Sequence, residues 1–177
     1  MVTREVRIRP ATARDAGELA DLGTRTFIEA YGDANDPADL AAYIADTYTE
    51  HLIAAAIRAP AVSYLIAEAD GRAVGFAKLV DGSTSPEVDA AHPAELEQLY
   101  VVGWRHGGGV GTALLEACIT QARERGCDVL WLGVWEDNQR AIGFYRRLGF
   151  VQVGSHTFRL GAQAQTDLLM ALPLTGG

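Results

Sequence analysis

The sequence predicts an α+β fold: a mixed, mostly antiparallel sheet of about six or seven strands with flanking helices. Three observations predict it. Two alternating apolar runs, residues 63–68 and 73–80, flank Asp70-Gly71, the strongest short hairpin signal in the chain, so the front of the sheet is antiparallel. A strand over 94–101 stops at a glycine loop and is followed by a helix and another strand, which makes one parallel β-α-β step. Residues 150–158 and 166–172 then form a last antiparallel pair. A doubly wound fold would repeat the β-α unit and usually carries its glycine loop on the first strand.

Taken in order, residues 6–10 alternate like a short strand, and Thr12 is an N-cap for a helix running through Leu19, Leu22 and Phe27. Asp36-Pro37 opens a second helix through Leu40, Tyr43 and Ile44, interrupted near Tyr48 and ending before Pro60. The hairpin follows, then a loop over 81–93. The helix over 110–125 carries an apolar periodic face, a strand covers 129–134, and Gly149 closes a helix that starts at Asn138. No repeat interrupts this order, so residues 1–174 form a single domain and 175–177 a frayed tail.

At 177 residues the chain can bury one substantial core. Its formal charge of -8 argues against a nucleic-acid partner, which needs a basic face, and is compatible with a cationic substrate. Its apolar runs fall short of the ~20 residues of a membrane span, and Met1-Val-Thr-Arg-Glu5 lacks an apolar signal core. A cytoplasmic protein without a membrane partner is expected. Cys118 and Cys127 lack metal-ligand spacing and read as reduced packing residues, so no metal is expected.

The informative segment is His106-Gly-Gly-Gly109-Val-Gly111-Thr112 between a strand and a helix. Such a loop aims backbone N–H groups at a helix N-terminus, where the macrodipole favours a phosphate. The P-loop pattern fails for want of a lysine, and the dinucleotide pattern Gly-x-Gly-x-x-Gly fits poorly, although Glu136-Asp137 after the next strand would suit it. The segment resembles the acetyl-CoA loop of the GNAT superfamily of N-acetyltransferases, with His106 where Gln or Arg is usual. A second signature agrees: Asn138 at a helix start, then Ala141-Ile-Gly-Phe-Tyr145 and Leu148-Gly-Phe150. Gly133-Val-Trp-Glu136, residues 149–158, Gln165-Thr-Asp-Leu-Leu-Met170 and the N-terminal Thr26-Phe27, Tyr31, Asn35 and Tyr43 are similar to the bacterial PaiA-type spermidine/spermine N-acetyltransferases.

The resemblance implies the GNAT acyl-CoA fold and transfer of acetyl from acetyl-CoA to a primary amine, a small polyamine such as spermidine or spermine, in a ternary complex. It places the pyrophosphate on His106, Gly107, Gly108, Gly109, Val110, Gly111 and Thr112, the pantetheine along Leu99, Tyr100 and Val101, and a cofactor contact at Asn138. Tyr145 is the expected acid for the leaving sulfur. Many relatives carry a basic carboxylate where this chain has Gly133, so Glu97 is the expected proton acceptor, with Glu95, then Glu136 and His156, behind it. Phe27 and Tyr31 are expected to bind substrate, with Asp33, Asn35 and the 81–93 loop nearby. A homodimer is compatible with this reading. The alternatives are protein N-terminal or antibiotic acetylation, a non-catalytic acetyl-CoA-binding regulatory module, and, as an outsider, an NAD-binding protein.

Overall fold

The structure, a computed structural model, describes residues 5–175. Gly176 and Gly177 of the expected tail and the first four residues of the N-terminal reading lie outside the described residues. Seven strands form one sheet in the order β1-β2-β3-β4-β5-β7-β6. They are β1 Arg7–Pro10, β2 Val62–Ala69, β3 Arg72–Asp81, β4 Pro93–Val101, β5 Val129–Trp135, β6 Val151–Leu160 and β7 Gln163–Pro173. Every neighbouring pair is antiparallel except β4 with β5. Asp70 and Gly71 both take positive φ, 54° and 72°, as the tight hairpin between β2 and β3 requires.

The N-terminal helices follow the sequence reading with one refinement. Thr12 and Asp15 start a short 3₁₀ turn, Asp15 accepting from the Thr12 N–H at 2.7 Å, and α1 then runs Ala16–Tyr31. Arg9 binds both Asp15 and Glu68 at 2.8 Å and so ties that turn to β1 and β2. The expected break at Tyr48 separates α2 Pro37–Thr47, capped by Asp36, from α3 Glu50–Arg58, capped by Thr49. These three helices cover one face of the sheet. Helix α4 Val110–Glu124 covers the other, burying Leu114, Leu115, Cys118 and Ala122. Burial pushes the Cys118 thiol up to about 12, in keeping with a packing role. Helix α5 Gln139–Arg147 buries Ile142 and Tyr145 and ends at Gly149, whose φ is 96°.

The feature that prepares a site is a failure of pairing. Strands β4 and β5 are joined only at Pro93↔Val129, Ala94↔Leu130 and Glu95↔Trp131. Beyond that point each keeps its outer neighbour, β3 or β7, and the two inner edges part. A bulge in β4 accompanies the parting: Leu96 pairs with Leu79 and Gln98 with Lys78, leaving Glu97 as the extra residue. Bulges bend a strand and steepen its twist, so β4 turns away from β5 close to where their hydrogen bonds stop.

Gly75 of β3 lies against this bend. A Cβ there would stand 2.9 Å from the Tyr100 carbonyl oxygen and 3.2 Å from Leu114 and Val101. Backbone cannot yield as a side chain can. Gly75→Ala is therefore expected to destabilise the fold by about 1–3 kcal/mol, read as a fall in Tm of several degrees.

Candidate active site

A cleft of about 970 Å³ occupies the gap between β4 and β5. At one end lies the glycine loop. Gly107 and Gly109 have φ of 77° and 81°, a left-handed conformation that glycine adopts at low cost, and Gly109 is the N-cap of α4. No side chain caps α4, so its first-turn amides, from Val110 through Thr112, have neither an intrahelical nor a side-chain acceptor. Gly107, Gly109, Gly111 and Thr112 line the cleft, while Val110 turns its side chain into the core. Gly108 departs from expectation: its N–H donates to the Arg105 carbonyl at 3.2 Å and is already engaged.

His106 also has a different part from the one its position implied. Its Nε2 lies 2.6 Å from the Val101 carbonyl oxygen and its Nδ1 lies 2.6 Å from Arg140 Nη1. A carbonyl can only accept and a guanidinium can only donate, so the imidazole carries its proton on Nε2. The side chain thus links the end of β4 to the first turn of α5 and brings Arg140 to the cleft. Arg105, ion-paired with Asp70 at 3.5 Å, and Arg147 also line the cleft. Sequence reasoning missed these arginines, although Arg140 stands beside Ala141 within the quoted signature.

The middle of the cleft is walled by Leu99, Tyr100 and Val101 of β4 and by Asn138, Ala141, Phe144 and Tyr145. Asn138 caps α5, its Oδ1 accepting from the Ala141 N–H at 3.2 Å, and also faces the cleft. Tyr145 is buried, and burial pushes its phenol well above the ordinary range, with Tyr31 adding to the effect.

The other end is aromatic and acidic. Tyr31 lines it, its ring tilted against Phe27 at 4.7 Å and Trp135 at 6.1 Å. Phe27 itself is 3% exposed and backs the wall together with Tyr43, Tyr48 and Tyr100; it does not reach the opening. Asn35 is buried with both ends of its amide engaged, donating to the Tyr31 carbonyl and accepting from Gln165, so it fastens α1 to β7. Asp33 is exposed outside the cleft, and Glu136 is exposed beside it. Glu97 faces the opening and is paired with Lys78 at 2.9 Å. Glu95 is covered by the loop over 82–92, accepting from Ser83 Oγ at 2.5 Å, and burial raises its carboxyl against that bond. Asp167 of β7 stands beside Gly133, and burial raises its carboxyl too, opposed by His156. The signal that could have found Asp167 is a lone acid next to the apolar run Leu168-Leu-Met170.

Among the described residues no cluster of His, Cys, Asp and Glu could hold a metal ion, and no helix is long and apolar enough to cross a membrane. The family profile described as Acetyltransferase (GNAT) family matches residues 19–150. An uncharacterised N-acetyltransferase from the pepI 3′ region of Lactobacillus delbrueckii subsp. lactis is 33% identical over 166 residues, covering 93% of this chain and 95% of its own. An uncharacterised N-acetyltransferase of Mycobacterium bovis is 36% identical over 160 residues, covering 90% of this chain and 98% of its own. The PaiA N-acetyltransferase of Thermoplasma acidophilum, solved with coenzyme A, has a TM-score of 0.73 at 18% identity, covering 96% of this chain and 99% of that one. That last likeness speaks for the fold alone, with the same mixed sheet and flanking helices. Profile and bacterial relatives together cover the loop, the cleft and both signatures: the chain belongs to the GNAT family and is an N-acetyltransferase of that type.

Proposed function

We propose that this protein transfers the acetyl group of acetyl-CoA to a small polyamine such as spermidine or spermine, by direct attack in a ternary complex. The observation that carries the reading is the polarity of the cleft. Open amides and Arg140 lie at the glycine-loop end, and at the other Glu97 lines the opening with Tyr31 and Trp135 while Asp167 stands behind Gly133. An anionic donor and a cationic acceptor would enter from opposite ends and meet between the parted strands.

The fit to the donor rests on the amides of Gly109 through Thr112 and on Arg140, each charge-assisted hydrogen bond being worth about 1.5–3 kcal/mol. Absence of a Cβ at Gly107 and Gly109 leaves room there, since nothing lies within 4 Å of where one would stand. The edge of Leu99 and Tyr100 that β5 leaves, ending at Val101 whose carbonyl is held by His106, can receive the amide-bearing pantetheine arm as an added strand. Asn138 faces the same arm while capping its helix. Tyr145 is a suitable proton donor to the leaving sulfur. Burial keeps its phenol protonated until charge develops on sulfur.

On the acceptor side Tyr31, Trp135 and the exposed carboxylate of Glu97 suit an alkyl chain with positive charges. A terminal ammonium has a pKa near ~10.4, so freeing its lone pair at pH 7 costs about 4–5 kcal/mol. A carboxylate must take that proton. Glu97 is the residue the sequence nominates, directly or through water; it faces the opening with Lys78 at 2.9 Å. The protein's net charge of -8 supports a cationic acceptor in the same sense.

A thiol-release assay with acetyl-CoA over spermidine, spermine, amino acids, aminoglycosides and N-terminal peptides tests the reading. Release with the polyamines is expected. Release confined to aminoglycosides or peptides would transfer the assignment to the antibiotic or N-terminal class, and coenzyme A binding without release from any amine would mark a regulatory module. Coenzyme A should raise the Tm of the wild type. Gly111→Glu should abolish that rise, because a carboxylate beside the pyrophosphate repels it. Tyr145→Phe should keep the coenzyme A shift and lower turnover by roughly 10²–10⁴-fold in single-turnover measurements.

A further inference from the structure

The best-placed buried acid at the acceptor end comes from a strand that does not line the opening. Asp167 on β7 stands opposite Trp135 of β5 on one side and His156 of β6 on the other. Its side chain is 15% exposed, and its Oδ2 lies 3.6 Å from His156 Nε2, an ion-pair distance too long for a direct hydrogen bond. A Cβ built on Gly133 would stand 3.3 Å from that oxygen and 3.5 Å from that nitrogen. Gly133 is exposed and lines the cleft where β4 and β5 have parted. The missing side chain is thus a window onto the acid-histidine pair.

We infer that Asp167, reaching the cleft across Gly133, receives the proton of the attacking amine, with His156 as the residue that positions its carboxylate. The inference rests on the acetyl-transfer reading above. The amine arrives as R-NH₃⁺ and gives one proton to Asp167. Its lone pair forms the C–N bond at the thioester carbonyl, the C–S bond breaks, and the sulfur takes a proton from Tyr145. The nitrogen's second surplus proton returns Tyr145 to its phenol form. Asp167 then releases its proton to water, so that ammonium and acetyl-CoA give amide, free thiol and one proton.

The surroundings suit a base. Trp135, the residue opposite Asp167 in the β5–β7 pair, packs against Tyr31 of α1, so Asp167 shares that face of the sheet. Glu97 of β4 acts on Tyr43, and Glu95 of β4 and Glu87 of the 82–92 loop act on His156. Glu97 is paired with Lys78 and Glu95 is bonded to Ser83, whereas Asp167 has the His156 imidazole 3.6 Å away. Burial raises the Asp167 carboxyl, which brings its proton affinity nearer to that of the amine.

The test is the pH dependence of kcat/KM with spermidine for wild type, Asp167→Asn, Glu97→Gln, His156→Gln and the pair Asp167→Asn with Gly133→Glu, alongside coenzyme A binding. Asp167→Asn should leave the coenzyme A Tm shift intact and lower kcat/KM at pH 7 by about 10²–10⁴-fold. The remaining rate should climb roughly tenfold per pH unit toward the amine pKa of ~10.4, since only free amine then reacts. His156→Gln removes a group that lowers the Asp167 pKa, so the acid limb should move to higher pH with the plateau kept; a structural role would lower Tm and leave the limb in place. Gly133→Glu should return part of the activity lost in Asp167→Asn, by supplying a carboxylate through the same window. An Asp167→Asn enzyme with the wild-type profile, or a loss confined to Glu97→Gln, overturns the inference while leaving the acetyl-transfer reading intact. A wild type that releases thiol with no amine overturns both.

Discussion

Everything functional in this fold depends on hydrogen bonds that β4 and β5 do not make. Three register pairs hold the strands together at Pro93 to Glu95, and beyond them the two edges are free. Unpaired backbone groups in a sheet are costly unless something satisfies them. Here they line a cleft, where a ligand with its own amide groups can complete the ladder. Tyr145 and Tyr31 both line the opening that the parting creates.

The ends of that opening differ because different kinds of atom converge on them. Helix α4 starts with a left-handed glycine and no side-chain cap, so its N-terminal amides face outward, and His106 holds Arg140 beside them. At the other end the bulge at Glu97 and the side chains of β7 gather acids around a set of tyrosines. The charges are held apart by the length of β4. On the reading proposed above, the two ends would orient two substrates of opposite charge.

Much of the fold was legible because its signals are local. Asp70-Gly71, Asp36-Pro37, Asn138 and Gly149 each encode a turn or cap through their own backbone preferences, and most elements begin and end within a residue or two of their expected place, although β7 begins three residues earlier, at Gln163. The glycine loop was legible for the same reason. What could not be read depends on partners distant in the chain. The bulge at Glu97 is a matter of register against β3, the partner of His106 lies 34 residues away, and Asp167 meets Gly133 only through the pairing of β7 with β5. Phe27 and Asn35 were expected at the substrate because their types suit binding; packing turned one inward and tied the other to Gln165.

The sheet order carries a consequence for how the protein is made. Strands β1 to β4 and helix α4 contact one another largely in sequence order, so the glycine loop has its neighbours once the chain reaches the end of α4, with Asn138 and Arg140 to follow on α5. The acceptor half does not. Strand β7, whose range ends at Pro173, must slot between β5 and β6, and β5 has no partner on its outer edge until it does. During synthesis a ribosome would therefore carry a nascent chain able to assemble its glycine loop and α4 while β5 is still an exposed edge, a natural point for chaperone engagement or for mispairing between neighbouring chains.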